Sequence, residues 1–152
     1  MQNLPLKYAS SCIVMQEVPD EISLAINISG CPHKCDGCHS DYLTTYNGEH
    51  LSENIDELIE EYSDLISCVC FMGGDQNISE LKDLLIRVKK IGLKTCVYSG
   101  SDSLDLFSEC FEYLDWLKLG SYKKELATDS NIQYGVKLAT SNQSMFKRRV
   151  DY

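Results

Sequence analysis

Three cysteines in the first third of the chain have the residue type and spacing for metal chemistry. Cys31, Cys35 and Cys38 follow the pattern C-x3-C-x2-C in a chain that contains 8 cysteines. Thiolate is the form in which cysteine binds metals, and ligands this close in sequence readily reach one metal centre. Gly30, immediately before the first cysteine, permits the tight backbone path that such a site requires. Residues 31–38 are therefore the first candidate for a functional site.

Four interpretations of these three cysteines compete. Structural zinc takes four ligands, which His33 or His39 could complete, although no second ligand pair of the usual zinc-module kind stands out. A disulfide with one spare thiol is disfavoured in a reducing compartment, and burial as small apolar side chains is the third interpretation. The fourth is an iron–sulfur cluster, in which three thiolates leave one iron free to bind a substrate or cofactor. The spacing alone places the cluster ahead of zinc and leaves both open.

The remaining cysteines stand in apolar stretches, so burial in the core is the simplest interpretation of each. They are Cys12, Cys68, Cys70, Cys96 and Cys110. Cys68 and Cys70 would share one face of a strand, which by itself is weak support for a second metal site.

Composition and charge narrow the class of protein. The 152 residues, 43% of them hydrophobic and 24% charged, fit one globular domain. A formal net charge of −9 argues against nucleic acid or an anionic membrane as the main partner. No apolar run is long enough to span a membrane and the first residues lack a signal-peptide pattern, which predicts a cytoplasmic protein. The basic run at Lys147, Arg148 and Arg149 is interpreted as a solvated tail.

Hydrophobic periodicity predicts the elements that must position the cysteines. Helices are predicted after Ser52 as N-cap, after an Asn77 cap with Glu80 in a capping box, and over residues 103–111. Gly92 is placed to end the second helix. Strands are predicted at residues 12–18, 22–28, 67–72, 93–98, 116–119 and 134–139.

This alternation of strands and helices predicts the fold class and places the candidate residues at one edge. We expect a single α/β domain spanning residues 1–152, with a mostly parallel, curved sheet and outer helices. Because the chain is short for a complete eight-stranded barrel, a partial, incomplete TIM-like barrel fits better. The cysteine segment and three turns follow predicted strands, so they should meet where the strands end. The turns are Gly73-Gly74-Asp75, Ser99-Gly100 and Gly120-Ser121-Tyr122.

The cysteine pattern together with Gly73-Gly74-Asp75 resembles the radical S-adenosylmethionine (SAM) superfamily. Within it, the chain is most similar to the small activating enzymes of anaerobic (class III) ribonucleotide reductase, through motifs that cover most of its length. Besides those two motifs, the matching segments are Ser29-Gly30, Val97-Tyr98-Ser99-Gly100, Leu119-Gly120-Ser121-Tyr122 and Ser141-Asn142-Gln143. The chain departs from these relatives at residues 16–21, where they often carry a glycine-rich segment, and at Leu119.

The resemblance implies a cofactor set and site residues. Cys31, Cys35 and Cys38 would bind a 4Fe-4S cluster, whose fourth iron is chelated by the methionine end of SAM. Gly73, Gly74 and Asp75 would contact the SAM amino group, and Ser99 and Asn142 are further SAM contacts. The two glycines let backbone carbonyls approach the ligand, and the Asp75 carboxylate can accept a hydrogen bond from it.

The resemblance also implies a reaction and partners. The reduced cluster would cleave SAM to a 5′-deoxyadenosyl radical, which abstracts a glycine Cα hydrogen from the anaerobic ribonucleotide reductase as protein substrate. The electron donor would be a flavodoxin- or ferredoxin-like protein. The alternatives are a small-molecule radical SAM enzyme of the deazapurine-synthase kind, and a zinc-binding module without enzyme activity.

Overall fold

The computed structural model describes residues 4–30 and 45–152. The predicted ligands Cys31, Cys35 and Cys38 lie outside these ranges. The two α-helices are α1 (Leu51–Glu61) and α2 (Ile78–Ile91), and short 3-10 helices cover Asp75–Asn77, Leu104–Tyr113 and Lys124–Leu126. The strands are β1 (Lys7–Val14), β2 (Ser23–Ile28), β3 (Glu49–His50), β4 (Cys68–Met72), β5 (Lys94–Tyr98), β6 (Trp116–Leu119), β7 (Ile132–Gln133), β8 (Val136–Lys137) and β9 (Ser144–Lys147).

Seven of the strands form one mixed sheet, in the order β3-β1-β2-β4-β5-β6-β9. The central strands β2, β4, β5 and β6 are parallel, as the alternation of strands and helices predicts. The outer strands β1, β3 and β9 pair in antiparallel fashion. The carboxyl ends of the four central strands therefore lie along one edge of the sheet. The incomplete barrel stays a prediction, because strand order alone fixes neither curvature nor closure.

One face of the sheet is covered by the helices, and the main core lies between them. Alternate residues of each strand point to this face, as the period of two requires; Val69, Phe71 and Val97 are fully buried there. The apolar stripe of α2 packs against them through Leu81, Leu84, Leu85 and Val88. Asn77 caps α2 by accepting a hydrogen bond from the Glu80 amide at 3.1 Å, and Gly92 ends the helix with φ at 97°. The predicted Asn77 cap and Gly92 stop are thus confirmed. The reciprocal half of the capping box is not formed, because the Glu80 carboxylate accepts from the Leu6 amide and the Asn77 amide donates to the Gly74 carbonyl.

The first helix begins differently from the prediction. Ser52 is not its N-cap, because α1 starts at Leu51, with His50 in the cap position and no side-chain cap. Leu51 is fully buried, and its amide donates to the Leu6 carbonyl at 2.9 Å. Burial of this leucine and its backbone hydrogen bond outweigh the capping preference of the following serine.

The opposite face of the sheet carries a smaller core that is rich in sulfur. Cys68, Cys70 and Cys96 are fully buried there, in one cluster with Val18, Trp116, Val136, Leu138 and Met145. Burial raises the pKa of Cys68 and of Cys96 well above the ordinary thiol value, and it raises the pKa of Cys110 in the main core to about 11. The predicted structural role of these cysteines is confirmed, whereas the prediction for Cys12 is wrong because it is exposed.

The ends of the chain differ most from the predicted strands. The first strand spans Lys7–Val14 rather than residues 12–18. Val18 lies in the loop after this strand, and its side chain is buried. Residues 134–139 do not form a strand of the main sheet. Tyr134 and Gly135 both have positive φ, at 51° and 82°, which makes the two-residue turn of the short β7–β8 hairpin. The last strand of the sheet is β9, antiparallel to β6.

The basic run near the C-terminus is not simply a solvated tail. Arg148 pairs with Asp115 at 3.0 Å, and Lys89 pairs with the same carboxylate at 2.8 Å. The Thr95 amide also donates to Asp115, at 3.0 Å. Burial alone would raise the pKa of Asp115, but the hydrogen bonds from Lys89 and Thr95 and the two positive charges outweigh it, so the pKa lies below its ordinary value. This carboxylate ties α2, β5 and the C-terminal segment to the start of β6.

Replacing this carboxylate should weaken the fold in a pH-dependent way. We expect Asp115→Asn to lower the free energy of unfolding by about 2 kcal/mol at neutral pH, since charge-assisted hydrogen bonds are lost. Because the folded state lowers the pKa of Asp115, the stabilisation is complete above the unfolded pKa of about 4. It is lost as the pH falls through the folded pKa. The difference between wild type and variant in urea unfolding should therefore shrink in acid. Asp56→Asn, which removes an exposed pair with Arg87, is the control and should change little.

Candidate iron–sulfur and cofactor site

The turns that follow the parallel strands meet at one edge, as predicted. Ser29 and Gly30 leave β2, Gly73 and Gly74 leave β4, and Ser99 leaves β5. Backbone hydrogen bonds tie the turns to neighbouring strands: the Gly73 amide donates to the Tyr98 carbonyl, and the Ser99 amide to the Lys118 carbonyl, both at 2.9 Å. The described turns of the candidate site are therefore held by backbone hydrogen bonds to neighbouring strands.

Ser29 fixes both ends of the segment that contains the cysteines. Its side chain is fully buried, and its amide donates to the Lys7 carbonyl at 2.9 Å. Its hydroxyl oxygen accepts a hydrogen bond from the Asn47 amide at 3.1 Å and lies 2.5 Å from the Asn47 carbonyl oxygen. The chain thus enters and leaves the cysteine segment at neighbouring points on the sheet edge. The sequence analysis names Ser29-Gly30 as a segment that matches the relatives, but it does not predict this role for the Ser29 side chain.

Gly73 and Gly74 form a turn that only glycine fits well. Their φ angles are 115° and 110°, in a region that residues with a Cβ rarely adopt. A Cβ on Gly73 would lie 3.3 Å from Ile28 Cβ, and one on Gly74 would lie 3.1 Å from Leu81 Cδ1. The two glycines therefore let the chain that leaves β4 run close to Ile28 of β2 and Leu81 of α2. Asp75 follows them at the sheet edge.

Two predicted cofactor residues, Asp75 and Ser99, meet directly. The Ser99 hydroxyl donates a hydrogen bond to the Asp75 carboxylate, and Ser99 is itself buried. The same hydroxyl oxygen accepts from the Ser101 amide at 2.9 Å. This arrangement fixes the orientation of the carboxylate at the edge, where it can accept a further hydrogen bond from a ligand.

Asn142, the remaining predicted contact, is engaged in the last turn of the chain. Its amide donates to the Ser121 carbonyl at 2.9 Å, and its oxygen accepts from the Thr140 hydroxyl at 2.6 Å. Among the described residues it makes no hydrogen bond to Asp75 or Ser99. The turn packs tightly against β6, since a Cβ on Gly120 would lie 2.9 Å from Gln143 Cα. The hydrogen bonds of Asn142 position the end of β6.

A cleft of about 590 Å³ lies over the face of the sheet that carries the smaller core. One side is residues 15–20, and the other is residues 134–139. Tyr98, Lys118 and Gln143 also line it; Tyr98 directly precedes Ser99, and its buried phenol donates to the Glu17 carbonyl. Burial raises the pKa of Tyr98, which keeps the phenol protonated as a donor. The residues at 16–20 are those at which the sequence departs from its relatives, so this departure forms a wall of the cleft.

Comparison with known proteins shows that the chain belongs to the class of iron–sulfur proteins. The model of the 4Fe-4S single cluster domain family matches residues 22–145, and the chain belongs to that family. Neither the curated proteins nor the solved structures gave a match. Membership favours a cluster over zinc at the three cysteines. Within residues 4–30 and 45–152, no group of three His, Cys, Asp or Glu side chains is placed to hold a metal ion.

The described residues fit a cofactor bound beside such a cluster. The Gly73-Gly74 turn is too closely packed against Ile28 and Leu81 to carry side chains, and the Asp75 carboxylate that follows it is already oriented by Ser99. The side-chain oxygen of Gln76 is buried and receives no hydrogen bond from the part of the chain that the structure describes, which leaves an acceptor available for a ligand. No helix within residues 4–30 and 45–152 has the length and hydropathy of a membrane span.

The close packing of Gly74 can be tested against a glycine with a similar backbone. Gly92 has φ at 97° but nothing within 4 Å of an added Cβ, so Gly92→Ala measures backbone strain alone. We expect Gly74→Ala to lower the free energy of unfolding by about 1–2 kcal/mol more than Gly92→Ala does, because Leu81 must shift. Urea unfolding of both variants checks this. Equal losses would show that the turn has room for a side chain.

Proposed function

We propose that the protein is a radical SAM enzyme that activates a glycyl-radical enzyme, the anaerobic ribonucleotide reductase. The observation that carries the proposal is the hydrogen-bonded pair of Asp75 and Ser99, placed after the Gly73-Gly74 turn at the sheet edge where the cysteine segment begins. A domain of the 4Fe-4S single cluster family supplies the redox centre that this chemistry needs, and such domains are seen in radical SAM-type proteins.

The residues take the following roles in this proposal. Cys31, Cys35 and Cys38 hold the 4Fe-4S cluster, and the Gly73-Gly74-Asp75 turn binds the amino group of SAM, with Ser99 orienting the carboxylate. Asn142 supports the site through the last turn. When bound, the cluster and SAM together supply one-electron cleavage of SAM and removal of a hydrogen atom from a glycine Cα. The chain's own contribution is to hold these groups in place and exclude water around them.

The cleft beside Tyr98 supports a protein substrate. A volume of about 590 Å³, lined by Tyr98 next to Ser99 in the chain, has room for a short peptide loop carrying the target glycine. Lys118, among the lining residues, donates to the Gly120 carbonyl at 3.3 Å, and its ammonium group lies over the Tyr98 ring. These contacts give that wall a fixed positive charge.

The electron donor in this proposal is a flavodoxin- or ferredoxin-like protein. A cytoplasmic location stays a prediction.

Loss of one cysteine should remove the cluster without unfolding the protein. After anaerobic reconstitution with iron and sulfide, we expect wild type to show broad visible absorption and acid-labile sulfide, and Cys35→Ala to lose nearly all of both, because two thiolates do not hold a cubane. Cys12→Ala, at an exposed cysteine outside the proposed ligand set, is the matched control and should keep the full cluster content. Purified protein with one zinc per chain and no sulfide would instead favour the zinc-binding module.

The protein substrate can be identified by the radical it acquires. Reduced wild type, SAM and an anaerobic ribonucleotide reductase from the same cell should give a glycyl doublet in electron paramagnetic resonance. Ser99→Ala should lower the yield about tenfold at limiting SAM, because the Asp75 carboxylate loses its orienting hydrogen bond. If SAM is cleaved but no glycyl-radical enzyme of that cell gains the doublet, the small-molecule alternative of the deazapurine-synthase kind is favoured.

A further inference from the structure

Gln76 connects the Gly-Gly-Asp turn to the start of the cysteine segment. It follows Asp75 in the short helix Asp75–Asn77, and its side-chain Nε2 donates to the Ser29 carbonyl at 2.7 Å. Ser29 lies two positions before Cys31 and holds both ends of the cysteine segment, as described above. A Cβ built on Gly30 would lie 3.6 Å from the same Nε2. One amide therefore touches both halves of the candidate site.

The hydrogen bond to Ser29 also fixes which way the amide points. A carbonyl oxygen accepts but does not donate, so the NH₂ group must face Ser29 and Oε1 must face the other way. Oε1 is buried and receives no hydrogen bond from any residue of 4–30 or 45–152. Buried acceptors are nearly always paired, because an unpaired one loses its hydration without compensation. With no donor among the described residues, this acceptor is available to a ligand.

Its position limits the chemistry of that donor. The neighbouring acceptor in sequence is the Asp75 carboxylate, which already accepts a hydrogen bond from Ser99. An α-amino group has two N–H donors even when its lone pair is used elsewhere, so it needs a second acceptor beside the carboxylate. An amide oxygen one residue away supplies an acceptor without adding another charge.

We propose that Gln76 Oε1 is an acceptor for the amino group of bound SAM, next to Asp75, while its Nε2 anchors the cysteine segment through Ser29. This inference rests on the proposed function. Gln76 thereby links cofactor binding to the position of the cluster ligands. It is a binding residue that neither the cysteine pattern nor the Gly-Gly-Asp motif identifies.

The test compares two probes that differ only in the amino group. Full-length protein, reconstituted with its cluster, is titrated with S-adenosylhomocysteine and with its deamino analogue, S-adenosyl-4-thiobutyrate, by calorimetry. Wild type should prefer the amino probe, and Gln76→Met should reduce that preference about fivefold, the loss of one hydrogen bond. Gln76→Glu keeps an acceptor but loses the donor to Ser29, so it should retain the preference and hold less cluster.

A second readout separates binding from a structural role. The melting temperature of Gln76→Met without cluster should stay within about 2 °C of wild type, because loss of the Ser29 bond is offset by removal of an unpaired acceptor. Gln133→Met is the control. Gln133 has both amide atoms paired, with Asn131, Gln143 and Met145, so its loss should lower the melting temperature and leave the probe preference unchanged.

The outcomes are distinct. An unchanged probe preference in Gln76→Met, with wild type still preferring the amino probe, overturns the role of Oε1 and leaves the proposed function intact. Equal weakening of both probes also overturns it, since the effect would then come from shape or from a bridging water. If cluster-loaded wild type binds neither probe, the proposed function fails and this inference fails with it.

Discussion

The parallel pairing of four strands in direct register is the constraint on which the site depends. Cys70 stands opposite both Ala25 and Cys96, so β2, β4 and β5 end level with one another. Each strand then releases its turn at the same edge, and a shift by one residue would turn every buried side chain to the other face. The position of Asp75 beside Ser99 thus follows from apolar packing far from either residue. Gly73 and Gly74 allow the tight turn after β4 that brings the two side chains together.

In the proposed function three of the 8 cysteines hold a cluster, and the two faces of the sheet show what most of the others do. The helix face is filled by large aliphatic side chains and Phe71, while the other face uses Cys68, Cys70 and Cys96 as small apolar groups. Burial raises the pKa of Cys68 and Cys96, so these thiols remain protonated and are poor ligands for iron. Burial thus separates these structural cysteines from the proposed ligands without any difference in residue type.

The parts of the fold that the sequence predicted are those governed by local rules. The cap of Asn77, the stop at Gly92 and the buried run of β4 depend on neighbours within one turn or strand, and each was confirmed. The last strand was misplaced because the pairing of β9 with β6 joins distant residues, and no local pattern marks it. For the site, the motif predicted Asp75 and Ser99, but the anchoring by Ser29 and Gln76 depends on side-chain orientation in three dimensions. The same holds for Arg148, whose partner Asp115 lies in another element.

The hydrogen bonds between Ser29 and Asn47 also affect how far the length of the cysteine segment can vary. The hydroxyl of Ser29 meets the backbone of Asn47, and this contact spans 18 positions along the chain. Once both ends are held at a closed junction, doubling the intervening length adds only about 0.6 kcal/mol of closure entropy. Insertions between the last cysteine and Asn47 would therefore cost the sheet little stability, because the hydrogen bonds at Ser29 are independent of the number of residues between these ends.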